Sequence, residues 1–275
     1  MAAAPISVRS HVHHQGGWTM ARRPVHPGLG EFLARPPVGF AEHGSAPSSW
    51  VDVPAPVVSV IISCAEPFGG FPRAFVVGLA DTWSLVELGE PSTSIDLKLT
   101  PLGAYRLLGA PLHELGGRTV ELTELAGERG RLLVESLSDA EGWAQRFDLV
   151  DAFCLALASD SSRPAPEVAW AWSRLARARG RLRIGELAAE VGWSHRHLVS
   201  RFREQVGLAP KTAARVLRFR HLLARLERPD SGLAELAYEC GYADQAHLNR
   251  DFRSFAGTTP TRFAESRPAI AKLGW

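Results

Sequence analysis

Two stretches, GWSHRHLVSRF at 192–202 and GYADQAHLNRDF at 241–252, repeat one frame with different filling. Each opens with glycine and an aromatic residue, and each carries a leucine four residues before a phenylalanine. Outward from these letters the match widens. At an offset of 49, Glu186, Leu187, Ala188, Glu190 and Gly192 meet Glu235, Leu236, Ala237, Glu239 and Gly241, with Trp193 against Tyr242. At an offset of 50, Leu198, Phe202, Arg203, Gly207 and Pro210 meet Leu248, Phe252, Arg253, Gly257 and Pro260. One residue has been inserted in the turn, and two copies make a duplicated module rather than a solenoid.

Every fixed letter has a physical job. Ala188 and Ala237 are small where a second helix must cross closely. Gly192 and Gly241 follow the first helix, where a left-handed residue ends it. Ser194 and Asp244 are N-caps that open the second helix. Leu198 with Phe202, and Leu248 with Phe252, are i,i+4 pairs facing a core. Gly207 and Gly257 stop that helix, and Pro210 and Pro260 start another. A helix, a tight turn and a capped helix make a helix-turn-helix.

The second helix of each module exposes what the core does not use: His195, Arg196, Val199, Ser200 and Arg203 in the first, and Gln245, Ala246, Asn249, Arg250 and Arg253 in the second. Such a helix fits the major groove, where base edges show distinct donor and acceptor patterns. Scaffold letters stay fixed because both copies fold alike. Reading letters differ because each copy meets different base pairs.

The stretch IGELAAEVGWSHRHLVSRFREQVGLAPKTAARVLRFRHLLARL, with LAELAYECGYADQAHLNRDFRSFAGTTPTRF after it, resembles the DNA-binding domain of AraC/XylS-type transcription regulators over roughly residues 167–267. The second copy carries most of the resemblance, through A-x-x-x-G-Y, L-x-R-x-F-R and G-T-T-P-T-R-F. The resemblance implies two modules joined by a long helix, matched here by 212–227, that enter successive major grooves of double-stranded DNA. It places base reading on Arg196, Val199 and Ser200, then on Gln245, Ala246 and Arg250. Arg250 suits a guanine through O6 and N7, and Gln245 or Asn249 suits adenine. His195, Arg203 and Arg253 are the candidate phosphate contacts. Copy one has Ser200 where copy two has Arg250, and Arg201 is rotated about 100° around the helix. Copy one is therefore expected to lean on Arg196, with Val199 against a thymine methyl.

The whole chain has 275 residues, 45% of them hydrophobic and 22% charged, which suits two globular domains. No apolar run is long enough to span a membrane and no signal core opens the chain, so a cytoplasmic protein is expected. Residues 163–275 hold 20 basic and 11 acidic side chains, against 11 and 18 in residues 1–162. A basic half is consistent with a polyanionic partner.

Residues 1–56 are rich in Pro and Gly and read as arms and loops with an early strand or two. Apolar, β-branched runs at 57–63, 74–80, 84–88 and 94–99 predict strands of a small sheet, sandwich or barrel, and the looser resemblance of this half to the sensing domains that precede such a DNA-binding unit implies a small β-sandwich or jelly-roll fold. After 116–122 the spacing turns helical, in RGRLLVESLSD and in WAQRFDLVDAFCLALA, where Phe147, Val150, Phe153, Cys154 and Leu157 share a stripe. The proline-containing stretch SDSSRPAP at 159–166 separates a sensing or dimerisation domain, 1–160, from an all-α DNA-binding domain, 164–268. The expected class is thus α+β in two domains: a β-rich unit with trailing helices, then a double helix-turn-helix. The resemblance also implies a small-molecule effector or a homodimer for the N-terminal domain, and RNA polymerase as a partner of an activator.

Other chemistry finds little support. His11, His13 and His14, with His26 and His43 nearby, lack a carboxylate or cysteine at fixed spacing, so no metal or cofactor is assigned and metal binding by the HVHH run is left open. Glu66, Glu87, Glu90, Asp96 and Trp83 could line a ligand cavity or simply be solvated. The arginines of 173–183 either touch phosphates or form a solvated helix face. There is no G-x-S-x-G and no phosphate loop, and no enzyme is expected. One rival is an alkylation-repair-type enzyme with an appended DNA-binding unit. Cys64 in ISCAEP and Cys154 in AFCLAL lack the setting its reactive thiols need, and Cys240 pairs with neither. Another rival is a DNA-silent partner of a second regulator.

Overall fold

The computed structural model describes residues 5–13, 16–44, 48–67, 70–88, 92–160, 162–226 and 232–265. Its N-terminal part holds strands β1 (Ser7–His13), β2 (Gly16–Arg22), β3 (Val38–Gly44), β4 (Ser48–Asp52), β5 (Val58–Ser63), β6 (Ala74–Val77), β7 (Ser84–Leu88), β8 (Thr93–Leu99) and β9 (Thr119–Glu121). Seven of them form one antiparallel sheet in the order β1-β2-β3-β8-β5-β6-β9, and β4 with β7 forms a separate ribbon. The four expected strands are present. Residues 1–56 hold four strands rather than one or two; of these β1 is exposed along its described side chains and carries no buried stripe to announce it.

Alternation selects the buried face of the sheet. Val58, Val60 and Ile62 of β5 and Ile95, Leu97 and Leu99 of β8 are all 3% exposed or less. Val60 sits opposite Leu97 and Ile62 opposite Ile95, so these side chains form cross-strand pairs. Helices α1 (Pro101–Leu108), α2 (Leu122–Asp139) and α3 (Trp143–Ser159) share this core. Phe147, Val150 and Cys154 are the buried stripe of α3. Helix α1 was not foreseen. Its run, PLGAYRLL, looks turn-like in sequence, yet Pro101 suits a first turn and the Thr100 hydroxyl accepts the Gly103 amide at 3.0 Å. Arg23, 6% exposed, bonds Asp148 and Asp151 and so ties the residue after β2 to α3.

Seven helices follow among the described residues: α4 (Pro166–Arg177), α5 (Ile184–Glu190), α6 (His195–Val206), α7 (Pro210–Leu226), α8 (Leu233–Glu239), α9 (Gln245–Ala256) and α10 (Pro260–Glu265). Apolar residues from Leu29 to Ala256 make one continuous buried cluster. The junction runs along the C-terminal half of α6, which contacts α1 and the 3-10 turn Leu112–Glu114. There the position of a Cβ on Gly207 would lie 3.3 Å from the Leu112 side chain. Gln205, 1% exposed, holds the segment leading into α4 by accepting the Ala165 amide at 2.9 Å.

Candidate nucleic-acid interface

In the first module α5 ends at Val191, Gly192 is left-handed (φ 69°), and Ser194 is extended with its hydroxyl accepting the His197 amide at 3.2 Å. That cap fixes where α6 begins. Leu198, Phe202 and Val206 are then fully buried along one stripe of α6. His195, Arg196, Ser200 and Arg203 are exposed and Val199 is half-buried, so all five nominated residues share the open side of this helix. Arg201, half-buried, pairs with Glu204 at 2.6 Å.

The second module repeats the construction. Gly241 is left-handed, and the Asp244 carboxylate accepts the His247 amide at 2.6 Å. A carboxylate at a helix N-terminus also complements the helix dipole. Leu248, Phe252 and Phe255 are fully buried in α9, with the Phe219 ring of α7 5.3 Å from Phe252 and 5.1 Å from Phe255. Gln245, Ala246, Arg250 and Arg253 are exposed and Asn249 is half-buried. Among the described residues no carboxylate pairs with Arg196, Arg203, Arg250 or Arg253. Each module thus presents cations with unspent donors beside small and amide side chains.

Four supporting contacts were missed from sequence. In both copies a histidine on the first turn of the module's second helix packs edge-on against the aromatic residue of the turn. These pairs are Trp193 with His197 at 4.4 Å and Tyr242 with His247 at 5.3 Å between ring centroids. Recurrence of histidine at an offset of 50 was the available signal. Asp251, 6% exposed, accepts from Arg215 of α7 at 2.9 Å, and Arg215 lies over the Phe255 ring. Arg225 of α7 bonds Glu239 of α8 at 2.6 Å. The linking helix therefore grips module two by charge as well as by packing. These pairs span 36 and 14 residues, beyond any local pattern.

The other candidates are scattered. Asp96 of β8 is held by Arg35 at 2.7 Å and Lys98 at 3.2 Å. Glu66 is exposed in the connection after β5, Glu87 is exposed on the β4-β7 ribbon, and Glu90 lies outside the described residues. Trp83, just before β7, has its ring 2.6 Å from where a Cβ on Gly257 would stand, so it touches the cap of α9. Register puts His11 and His43 on opposite faces of the sheet. His26 spends Nδ1 on the Gly28 amide. The His13 side chain and His14 lie outside the described residues, and among those described no group of three possible metal ligands occurs. All three cysteines are buried as free thiols, and burial pushes each thiol up from its ordinary value.

Residues 187–266 match the family model described as a helix-turn-helix domain. A Staphylococcus aureus (strain MSSA476) HTH-type transcriptional regulator is 31% identical over 91 residues, 33% of this chain and 12% of that protein. The HTH-type transcriptional activator RhaS of Klebsiella pneumoniae (strain 342) is 31% identical over 88 residues, 31% of each chain. The likeness therefore spans under a third of either relative. Among solved structures, the DNA-binding domain of the global transcriptional factor AdpA in complex with a target DNA is 24% identical. That match covers 40% of this chain and all of the other, at a TM-score of 0.36. ToxT of Vibrio cholerae O395 is 11% identical over 80% of this chain and 88% of its own, at 0.39.

Proposed function

We propose, from the premise that residues 187–266 are a helix-turn-helix domain of the AraC type, that this chain is a sequence-specific regulator of transcription that binds double-stranded DNA. Helices α6 and α9 enter successive major grooves. Arg196, Val199 and Ser200 read one set of base pairs, and Gln245, Ala246, Asn249 and Arg250 read the other. His195, Arg203 and Arg253 hold phosphates and set the register. The observation that carries this reading is the pair of capped helices with the same buried stripe and different open faces.

The N-terminal sheet and its helices sense a small-molecule effector or bring two copies together, and an activator of this kind also meets RNA polymerase. The protein works in the cytoplasm; among the described residues no helix is long and apolar enough to cross a membrane. The test is selection of duplexes by the full chain from a randomised library, followed by titration at several salt concentrations. An asymmetric preferred site about two helical turns long is expected, with affinity falling steeply as salt rises. Binding with no preference at any salt refutes the reading, and no binding at all leaves the DNA-silent partner.

A further inference from the structure

Between α4 and α5 the chain makes a turn that neither module requires. Arg179 (φ 53°) and Gly180 (φ 74°) are both left-handed, and Arg179 is the one non-glycine residue with positive φ among the described residues. The turn is pressed onto the linking helix. A Cβ on Gly180 would stand 2.0 Å from the Ala214 carbonyl oxygen of α7, and Arg218 of α7 reaches back to the Gly180 carbonyl at 3.4 Å. Arg179 bonds His221 of α7 at 3.0 Å. Farther along, the Arg181 stem lies against Gly241, with its Cγ 2.7 Å from where a Cβ would be. The turn is therefore wedged in the seam between the two modules and is anchored to the helix that joins them.

It carries charge to that seam. Arg177, Arg179, Arg181 and Arg183 are all exposed, at alternate positions. Arg225 and His221 stand behind them, and among the described residues only Glu239, already bonded to Arg225, bears on His221 with the opposite sign. Among the described residues no carboxylate forms an ion pair with any of the four arginines. Burial and the Arg179, Arg181 and Arg225 charges hold His221 below the ordinary imidazole range, so near neutral pH it serves Arg179 as an uncharged acceptor. Placing like charges side by side on a strained turn is unfavourable unless an anion offsets them.

The position says which anion. A reading helix enters the groove by its N-terminal residues, and the first helix of the motif crosses the backbone. Gly241 lies in the turn between α8 and α9, three residues ahead of the Asp244 cap, and Arg183 is the residue that opens α5. Arg181 thus flanks the entry of module two while Arg183 flanks the start of module one. Two modules in successive major grooves straddle a minor groove bordered by both phosphate strands. We propose that Arg179, Arg181 and Arg183 form a third DNA contact, a phosphate-binding site that clamps the backbone across that intervening minor groove. It deepens the regulator reading and rests on it.

The test uses the full chain, a duplex selected by the wild type, and a scrambled duplex. Arg179→Gln, Arg181→Gln and Arg183→Gln are combined, because glutamine keeps the three carbons that pack on Gly241 and a donor for His221. The variant is expected to bind both duplexes roughly tenfold more weakly at low salt, and the slope of log affinity against log salt to become shallower by about 2 to 3. The corresponding triple lysine variant should recover most of the slope, since an ammonium still neutralises a phosphate. Recovery separates lost charge from lost folding. An unchanged slope and affinity in the glutamine variant overturns the inference, as does a loss seen on the selected duplex alone or a loss that lysine does not restore. A wild type that binds no duplex overturns instead the regulator reading beneath it.

Discussion

Substituting alanine for Gly180 probes the seam directly. Two costs arise, and a second glycine separates them. At Gly180 the backbone is left-handed, where an L side chain costs about 1–2 kcal/mol. The new methyl carbon would also stand 2.0 Å from the Ala214 oxygen, 2.8 Å from its carbonyl carbon and 3.0 Å from its Cα. These are backbone atoms of a 17-residue helix and cannot turn aside. The turn must lift by more than about 1 Å, since contact distances begin near 3.5 Å. Lifting it loosens Leu175, which is fully buried, and Leu182, which is partly buried. At roughly 1.5–3 kcal/mol for each aliphatic side chain, partial exposure of two of them adds about 2–3 kcal/mol. Gly192 has the same backbone region (φ 69°) with no atom within 4 Å of a Cβ. Gly192→Ala should therefore cost about 1–2 kcal/mol and Gly180→Ala about 3–5 kcal/mol. Urea unfolding of both full-length variants, followed by tryptophan fluorescence, measures the difference. Equal midpoints would refute the close approach of the turn to α7, and with it the anchoring of the arginines at the seam.

Arg250→Ala should cost about 1–3 kcal/mol of DNA affinity and relax selectivity at one base pair, read by repeating the library selection. An equal loss on every sequence would make Arg250 a phosphate contact. His221 gives a pH signature. Its folded pKa lies below the unfolded value of about 6.5, so the unfolded chain takes up the proton first as pH falls. Stability is then full above that value and declines as pH drops through it towards the lowered folded pKa. His221→Gln should flatten that part of the stability-against-pH curve relative to wild type, and a superimposable curve would contradict the assignment. The thiols should be inert: burial, with Asp151 adding to it, pushes Cys154 up to about 12, and all three cysteines are enclosed. A thiol-exchange reagent at mildly alkaline pH should label none of them in the native protein and all three in urea. Rapid native labelling would restore the repair-enzyme alternative.

What the sequence revealed follows from the range of the interactions. Both modules were legible because their determinants are local: Ser194 and Asp244 act three residues away, and the buried stripes recur every turn or so. Strands β5 and β8 were legible because their apolar residues alternate over a buried face, and β6 and β7 because short β-branched runs stand between turn residues. Helix α1 was hidden by Pro101 and Gly103, which read as turn letters although Pro101 occupies a first turn and Gly103 packs under the Phe32 backbone. The exposed β1 gave no stripe at all. The Arg215–Asp251 pair, the Arg181–Gly241 contact and the seating of α6 on Leu112 join segments far apart in the chain. No pattern within a window of a dozen residues encodes such contacts. The exposed positions of α6 and α9 were nameable because the core claims one stripe of each helix and leaves the rest.

The seating of α6 bears on how this molecule can be dissected. Val206 and Leu208, at most 8% exposed, flank Gly207 where Leu79 and Leu112 of the N-terminal part close over it. Excising the helix-turn-helix half would tear that cover away and leave an oily scar at the foot of α6. An isolated fragment would then tend to self-associate, and any weakened grip on DNA would reflect that wound rather than the chemistry of its arginines. Planting a polar side chain at Leu208 would dress the scar and make the amputated half usable.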